Sequence, residues 1–119
     1  MTQKQIQKML IAQMSPKDYA QHLVTKHFEQ PGIQYGCLTQ LWGKESAWNY
    51  KAKSRSQDYG IPQRHMSDNT AEEIAKFMKH PHRQIDWGIN YIISRYDTPC
   101  NALKSWLSRA DENGKGGWY

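Results

Sequence analysis

Leu38-Thr39-Gln40-Leu41-Trp42-Gly43-Lys44-Glu45-Ser46 is the stretch on which the fold turns. Its apolar residues recur at helical spacing, and Glu45 follows Leu38, Leu41 and Trp42 by seven, four and three positions. Those offsets put the carboxylate on the face of the apolar stripe, not on the solvated face. A carboxyl group there is partly desolvated and harder to ionise. The periodic pattern stops just after it, and a polar, aromatic-rich loop begins. A glutamate at a helix end, half out of water and facing a loop, is placed to act as a general acid.

Working outward, nearly every other segment also reads as helix. Gln3 to Gln13 forms a weak helix with a thin apolar stripe. Ser15 is an N-cap, and Pro16 takes the first helical position. From there Tyr19, Leu23 and His27 recur at helical spacing, with Phe28 near the end. Pro31-Gly32 is expected to break the chain, so that the Glu45 helix runs from about Ile33 to Ser46. Ala47 to Tyr59 shows no sustained period and leaves room for a short hairpin. Thr70 and Glu73 form a capping box that opens a helix through Ile74, Phe77 and Met78. Pro81 opens another, with Ile85, Ile89, Ile92, Ile93 and Tyr96 on one face, ending before Pro99. A last helix carries Ala102, Leu103, Trp106 and Leu107, and a turn from Asp111 to Gly117 leads to Trp118-Tyr119. The expected class is all-α, α+β at most through a small hairpin.

A chain of 119 residues is expected to make one domain, able to bury roughly two thirds of its unfolded surface. No repeat, low-complexity tract or linker divides residues 1–119; residues 1–32 are the least informative part. Apolar residues are 38% of the chain, including five Trp and seven Tyr. Such residues have an apolar body and a polar handle, so they suit either a small core or an exposed groove. The formal charge of +5 is scattered, with one loose cluster at Lys51, Lys53 and Arg55. Without a dense basic run no nucleic-acid partner is expected. A modest positive field suits any anionic polymer, or simply a solvated face. The longest N-terminal apolar run, Met9 to Ala12, is too short for a signal-peptide core or a membrane span.

Metal chemistry is not expected. His80-Pro81-His82 holds two imidazoles apart across a proline, His27 and His65 lie elsewhere, and no carboxylate or cysteine stands at ligand spacing. Cys37 and Cys100, 63 positions apart, do not have metal-ligand spacing either. Their spacing leaves two reduced thiols and a bridge both open; a bridge would contribute about 4 kcal/mol by loop closure.

Together these residues carry a family resemblance. Leu41-Trp42-Gly43-Lys44-Glu45-Ser46-Ala47-Trp48-Asn49 resembles the catalytic motif of the soluble lytic transglycosylases, relatives of goose-type lysozyme. Tyr59-Gly60-Ile61-Pro62-Gln63 is similar to their second motif. Ile89-Asn90-Tyr91-Ile92-Ile93-Ser94-Arg95-Tyr96 and the ending Gly117-Trp118-Tyr119 resemble small phage and actinobacterial domains of this kind. The resemblance spans roughly Gln34 to Tyr119. It implies a lysozyme-like domain with a substrate cleft.

The implied activity is cleavage of peptidoglycan between N-acetylmuramic acid and N-acetylglucosamine. Glu45 would act first as acid and then as base. To do so near neutral pH, its pKa must rise from ~4.3 towards ~6. In this scheme the sugar's own 6-hydroxyl attacks the anomeric carbon and gives a 1,6-anhydro product, with no second carboxylate and no cofactor. The resemblance also makes Ser46, Trp48, Tyr59, Gln63, Tyr91 and Tyr96 candidate substrate-binding residues. It implies a Cys37–Cys100 disulfide. His65 follows the second motif closely enough to face the cleft.

Several departures from the family pattern bear on the chemistry. The third motif, alanine-tyrosine-asparagine, has no match; the region reads Asn101-Ala102-Leu103-Lys104-Ser105-Trp106. Leu107 to Gly116 is longer than the resemblance leads one to expect. Asp58 stands where a small residue is usual; it would either repel or replace a substrate contact, or act as a second carboxylate that turns the reaction towards hydrolysis. A catalytically idle cell-wall-binding or phage structural domain is the alternative from another class. Action is expected at the bacterial cell wall, periplasmic or extracellular. With no signal peptide legible, delivery by a virion, beside other phage tail components, or excision from a larger cell-wall enzyme is expected.

Overall fold

The computed structural model describes residues 1–119. Six helices follow one another: α1 (Gln3–Ala12), α2 (Pro16–His27), α3 (Pro31–Ser46), α4 (Ala71–Lys79), α5 (Pro81–Tyr96) and α6 (Pro99–Arg109). Two short strands, β1 (Asp58–Tyr59) and β2 (Arg64–His65), pair antiparallel between α3 and α4. The class is all-α with one small hairpin, as the periodicity indicates. The hairpin spans Asp58–His65 and not the Ala47–Tyr59 stretch that left room for it, where the backbone supplies only a bridge from Lys53 to Tyr59. No helix is long and apolar enough to cross a membrane.

The helix starts follow local chemistry. Thr2, Ser15, Thr70 and Thr98 each accept a backbone N–H with their side-chain oxygen, and Thr2 and Thr70 complete capping boxes with Gln5 and Glu73. Proline opens α2, α3, α5 and α6, where its missing N–H costs nothing and its φ is already helical. Pro31-Gly32 therefore does not break the chain. It forms the first turn of α3, and the break lies just before it, where Gln30 adopts φ 52°.

The core gathers Ala20 and Val24 from α2, Leu38, Leu41 and Trp42 from α3, and Ile85, Ile89 and Ile92 from α5. Ala102, Leu103 and Trp106 of α6 join them, as does Ile61 from the hairpin loop. Three expectations about facing need correction. On α2 the fully buried pair is Ala20 and Val24, while Tyr19 and Leu23 pack at the core's edge. On α5, Ile93 points outward at 38% exposure, one position past the buried Ile92, where a helix turns its side chains by about 100°. Leu107 of α6 is likewise exposed. In α1 no residue is buried, in line with its thin stripe.

α3 and α6 make the most extensive helix–helix packing, and a Cys37–Cys100 disulfide joins them. Beside it the backbone N–H of Cys100 donates to Gln34 Oε1 at 3.0 Å. The helix that carries Glu45 is thus fastened along its length before it reaches the hairpin.

Candidate active site

α3 ends abruptly after Glu45. Ala47 and Trp48 both take left-handed conformations, φ 53° and 59°, and the chain swings towards the hairpin. Ser46 secures that turn: its Oγ donates to Ile61 O at 2.7 Å and reaches Trp42 O at 3.3 Å. The hairpin loop is fixed from its other side by Gln84 of α5, a fully buried amide. Gln84 Oε1 accepts from Ile61 N at 2.8 Å, and its Nε2 donates to Tyr50 O and Phe77 O. Gly60 lets the loop come this close. Its φ is +78°, and a Cβ there would stand 2.5 Å from Gln84 Oε1, a contact no side chain could make.

A cavity of about 420 Å³ opens between the end of α3, the hairpin, α5 and the C-terminal segment. Glu45, Asp58, Pro62, Gln63 and His65 line one part; Trp87, Tyr91, Arg95, Trp118 and Tyr119 line the rest. Trp87 and Tyr91 stack with ring centroids 5.0 Å apart, and the Arg95 guanidinium sits over Tyr91. The two rings thus cover each other, with a cation over Tyr91, in the same cavity as the Glu45 and Asp58 carboxyl groups.

Glu45 is only half-enclosed as a residue, but its Oε1 is buried without a hydrogen-bond partner. Desolvation raises its pKa from 4.5 to about 7; Trp106 opposes that as a donor, and the negative charge of Asp58 adds to it. Trp106 Nε1 is itself buried and closes no hydrogen bond of good geometry. Its pull on Glu45 is therefore weak beside burial. Asp58 is held elsewhere: Ser54 Oγ donates to its Oδ2 at 2.8 Å, and His65 Nδ1 lies 2.9 Å from its Oδ1.

The C-terminal segment completes the enclosure. Gly117 lies flat on Trp106, where a Cβ would come within 2.4 Å of the ring. Tyr119 then inserts beside Glu45. Its hydroxyl accepts from Trp42 Nε1 at 2.9 Å and donates to Pro62 O at 3.0 Å. Burial, with the Glu45 carboxylate adding to it, keeps that phenol neutral far above its ordinary range.

Of the residues singled out in the sequence, the cavity brings together Glu45, Asp58, Gln63 and Tyr91, with His65 at its edge. It does not bring in Ser46, Trp48, Tyr59 or Tyr96. Ser46 is spent on Ile61. Trp48 packs edge-on against Trp42 and donates its Nε1 to Thr39 O, because the left-handed turn after Glu45 folds it back on α3. Tyr59 sits in β1, bridged to Lys53. Tyr96 lies behind Tyr91 and Tyr119 and takes a hydrogen bond from Arg109. The residues that sequence reasoning did not place here are Pro62, Trp87, Arg95, Trp118 and Tyr119. Trp87 precedes Tyr91 by one helical turn, the spacing that could have found it. No group of three or more His, Cys, Asp and Glu side chains gathers to hold a metal ion.

The arrangement can hold an uncharged ring beside aromatic side chains and offer it a proton from a dry carboxyl group. A family model described as the transglycosylase SLT domain matches residues 22–110, a span that includes Glu45, Asp58, Gln63, Trp87 and Tyr91. No curated protein and no solved structure matches the chain. The match covers well over half of the residues, and the chain belongs to the transglycosylase SLT domain family, as a lysozyme-like domain of the type that acts on peptidoglycan.

Proposed function

We propose that this protein is a peptidoglycan lytic transglycosylase with Glu45 as its single acid and base. One observation carries the reading: a carboxyl group buried in the cavity wall with its pKa raised to about 7. At neutral pH such a group still holds its proton half of the time. It can pass that proton to the glycosidic oxygen between N-acetylmuramic acid and N-acetylglucosamine as the bond to the anomeric carbon breaks. The carboxylate left behind takes the proton of the 6-hydroxyl, whose oxygen bonds to the anomeric carbon. The products are a 1,6-anhydro end and a free hydroxyl, and Glu45 is protonated again. No cofactor enters the scheme.

In this reading the stacked Trp87–Tyr91 pair lines the path of the sugar rings, and Gln63 contacts substrate beside Glu45. Ser46 positions the catalytic residue through Ile61, while Trp48, Tyr59 and Tyr96 support the walls. Residues 1–119 act as one unit on cell-wall glycan, with α2 packed into the core and α1 outside the cleft.

Hydrolysis is the second reading, and Asp58 favours it. A second carboxylate lines the same cavity and could draw a proton from water in place of the 6-hydroxyl, giving a reducing end. Mass analysis of the muropeptides released by wild type and Glu45→Gln separates these cases. Anhydro products, lighter by one water and absent with Glu45→Gln, support transglycosylation. Reducing ends support hydrolysis. If neither protein releases fragments, or both do equally, the enzyme reading fails in favour of a wall-binding or phage structural domain.

A further inference from the structure

Trp87 is shared between two cavities. Beyond the one at Glu45, a second of about 410 Å³ opens among β2, α4 and α5. Arg64, Lys76 and Arg83 line it, with Glu73 and Phe77. The one carboxylate there is already engaged: Glu73 Oε1 accepts from Thr70 N at 2.9 Å in the cap of α4. None of the three cations closes an ion pair, the chain's single one being His65–Asp58, although the Glu73 carboxylate acts on Arg64 through space.

Arg64 is the telling member. Its guanidinium is half-buried, 5.1 Å from the ring centroids of both Phe77 and Trp87. Arg95 and Arg109 donate to tyrosine hydroxyls, whereas Arg64 donates to no protein acceptor. A guanidinium steadied by aromatic rings with its N–H edge unused is arranged for a planar anion bound through two hydrogen bonds.

We propose that this second cavity binds a carboxylate of the short peptide carried on the glycan strand, with Arg64 as the direct contact and Lys76 and Arg83 at the mouth. The inference rests on peptidoglycan being the substrate. Trp87 lines both cavities, so a glycan held in the first lies one side chain away from the second, within reach of the lactyl-linked peptide it carries. The cleft then reads both parts of the polymer, the uncharged glycan beside aromatic side chains and the anionic peptide on cations.

Binding tests this independently of cleavage. Calorimetry on Glu45→Gln would compare a disaccharide bearing its tetrapeptide with the same disaccharide stripped of it. The peptide-bearing fragment should bind about tenfold more tightly, equivalent to about 1.4 kcal/mol, and high salt should erase most of the preference. Arg64→Met should lose the preference. So should the double variant Lys76→Gln/Arg83→Gln, which alters only exposed side chains and leaves the fold intact. Equal affinity for the two fragments, or a preference that survives in these variants, overturns the proposal. Wild-type cleavage is read separately. Peptide preference without cleavage keeps this site and removes the enzyme reading, and cleavage without preference does the reverse.

Discussion

The hydroxyl of Ser46 donates to the carbonyl oxygen of Ile61 across 2.7 Å, so the residue after Glu45 is tied to the loop that carries Gln63. This one bond sets how the end of α3 meets the hairpin. Ser46→Ala leaves the Ile61 oxygen without its partner, at a cost of about 1–2 kcal/mol. Unfolding in urea should show that loss. Turnover on purified cell walls should fall further than the lost stability explains, because Glu45 and Gln63 are no longer held in register.

The pH dependence follows from Glu45. Below pH 4.5 the group is protonated in both folded and unfolded chains. Between 4.5 and about 7 the unfolded chain ionises while the fold keeps its proton, so stability falls as pH rises through that window. The loss is complete above about 7 and amounts to about 3 kcal/mol. Glu45→Gln should therefore be the more stable protein at pH 8 and show a flatter stability profile, measured by denaturant unfolding across pH. Wild-type cleavage should decline as pH passes 7, because the acid is then spent.

Asp58 raises the Glu45 pKa through its charge, and Asp58→Asn removes that push. The alkaline limb of the pH–rate profile should move to lower pH. Product mass adds a second readout: unchanged anhydro ends mean that Asp58 only tunes Glu45, whereas loss of reducing-end products assigns it the water.

Gly60→Ala should be among the most damaging small changes. It puts a methyl group at φ +78° and 2.5 Å from the Gln84 amide. The amide must move, and the hydrogen bond it accepts from Ile61 goes with it. The expected cost is about 2–4 kcal/mol, seen as a lower midpoint in thermal unfolding.

The Cys37–Cys100 bridge closes a loop of 63 positions. Replacing both cysteines with alanine should lower stability by about 4 kcal/mol through the freed unfolded chain. Guanidinium unfolding of the two proteins measures the difference.

Much of this architecture is written locally. Ser15-Pro16, the Thr70–Glu73 box and Pro81 mark helix starts by chemistry that acts within one turn, and they read correctly. The buried face on which Glu45 lies reads correctly because its neighbours on the stripe lie within seven residues. Pro31 misleads, since the same residue opens a helix or breaks one depending on the backbone before it. Ile93 misleads because an isoleucine beside a buried isoleucine looks alike on either side of the boundary. The hairpin has two-residue strands, too short for any period. Tyr119 could not be placed at all: its partners Trp42 and Pro62 lie 77 and 57 positions away, and only the assembled fold brings them near. Gln84 is hidden for a related reason, being a polar residue on an apolar face whose partners lie in the hairpin loop, the preceding loop and α4.

The anchoring of Tyr119 has a consequence for how such a site would age or fail. Nothing covalent dries Glu45; its proton affinity depends in part on Gly117 staying seated on Trp106 and Tyr119 on Trp42. If that edge frays, water reaches the carboxyl group and the acid becomes an ordinary surface glutamate while all six helices persist. Heat or mild denaturant would thus silence the chemistry well before circular dichroism records any loss of helix.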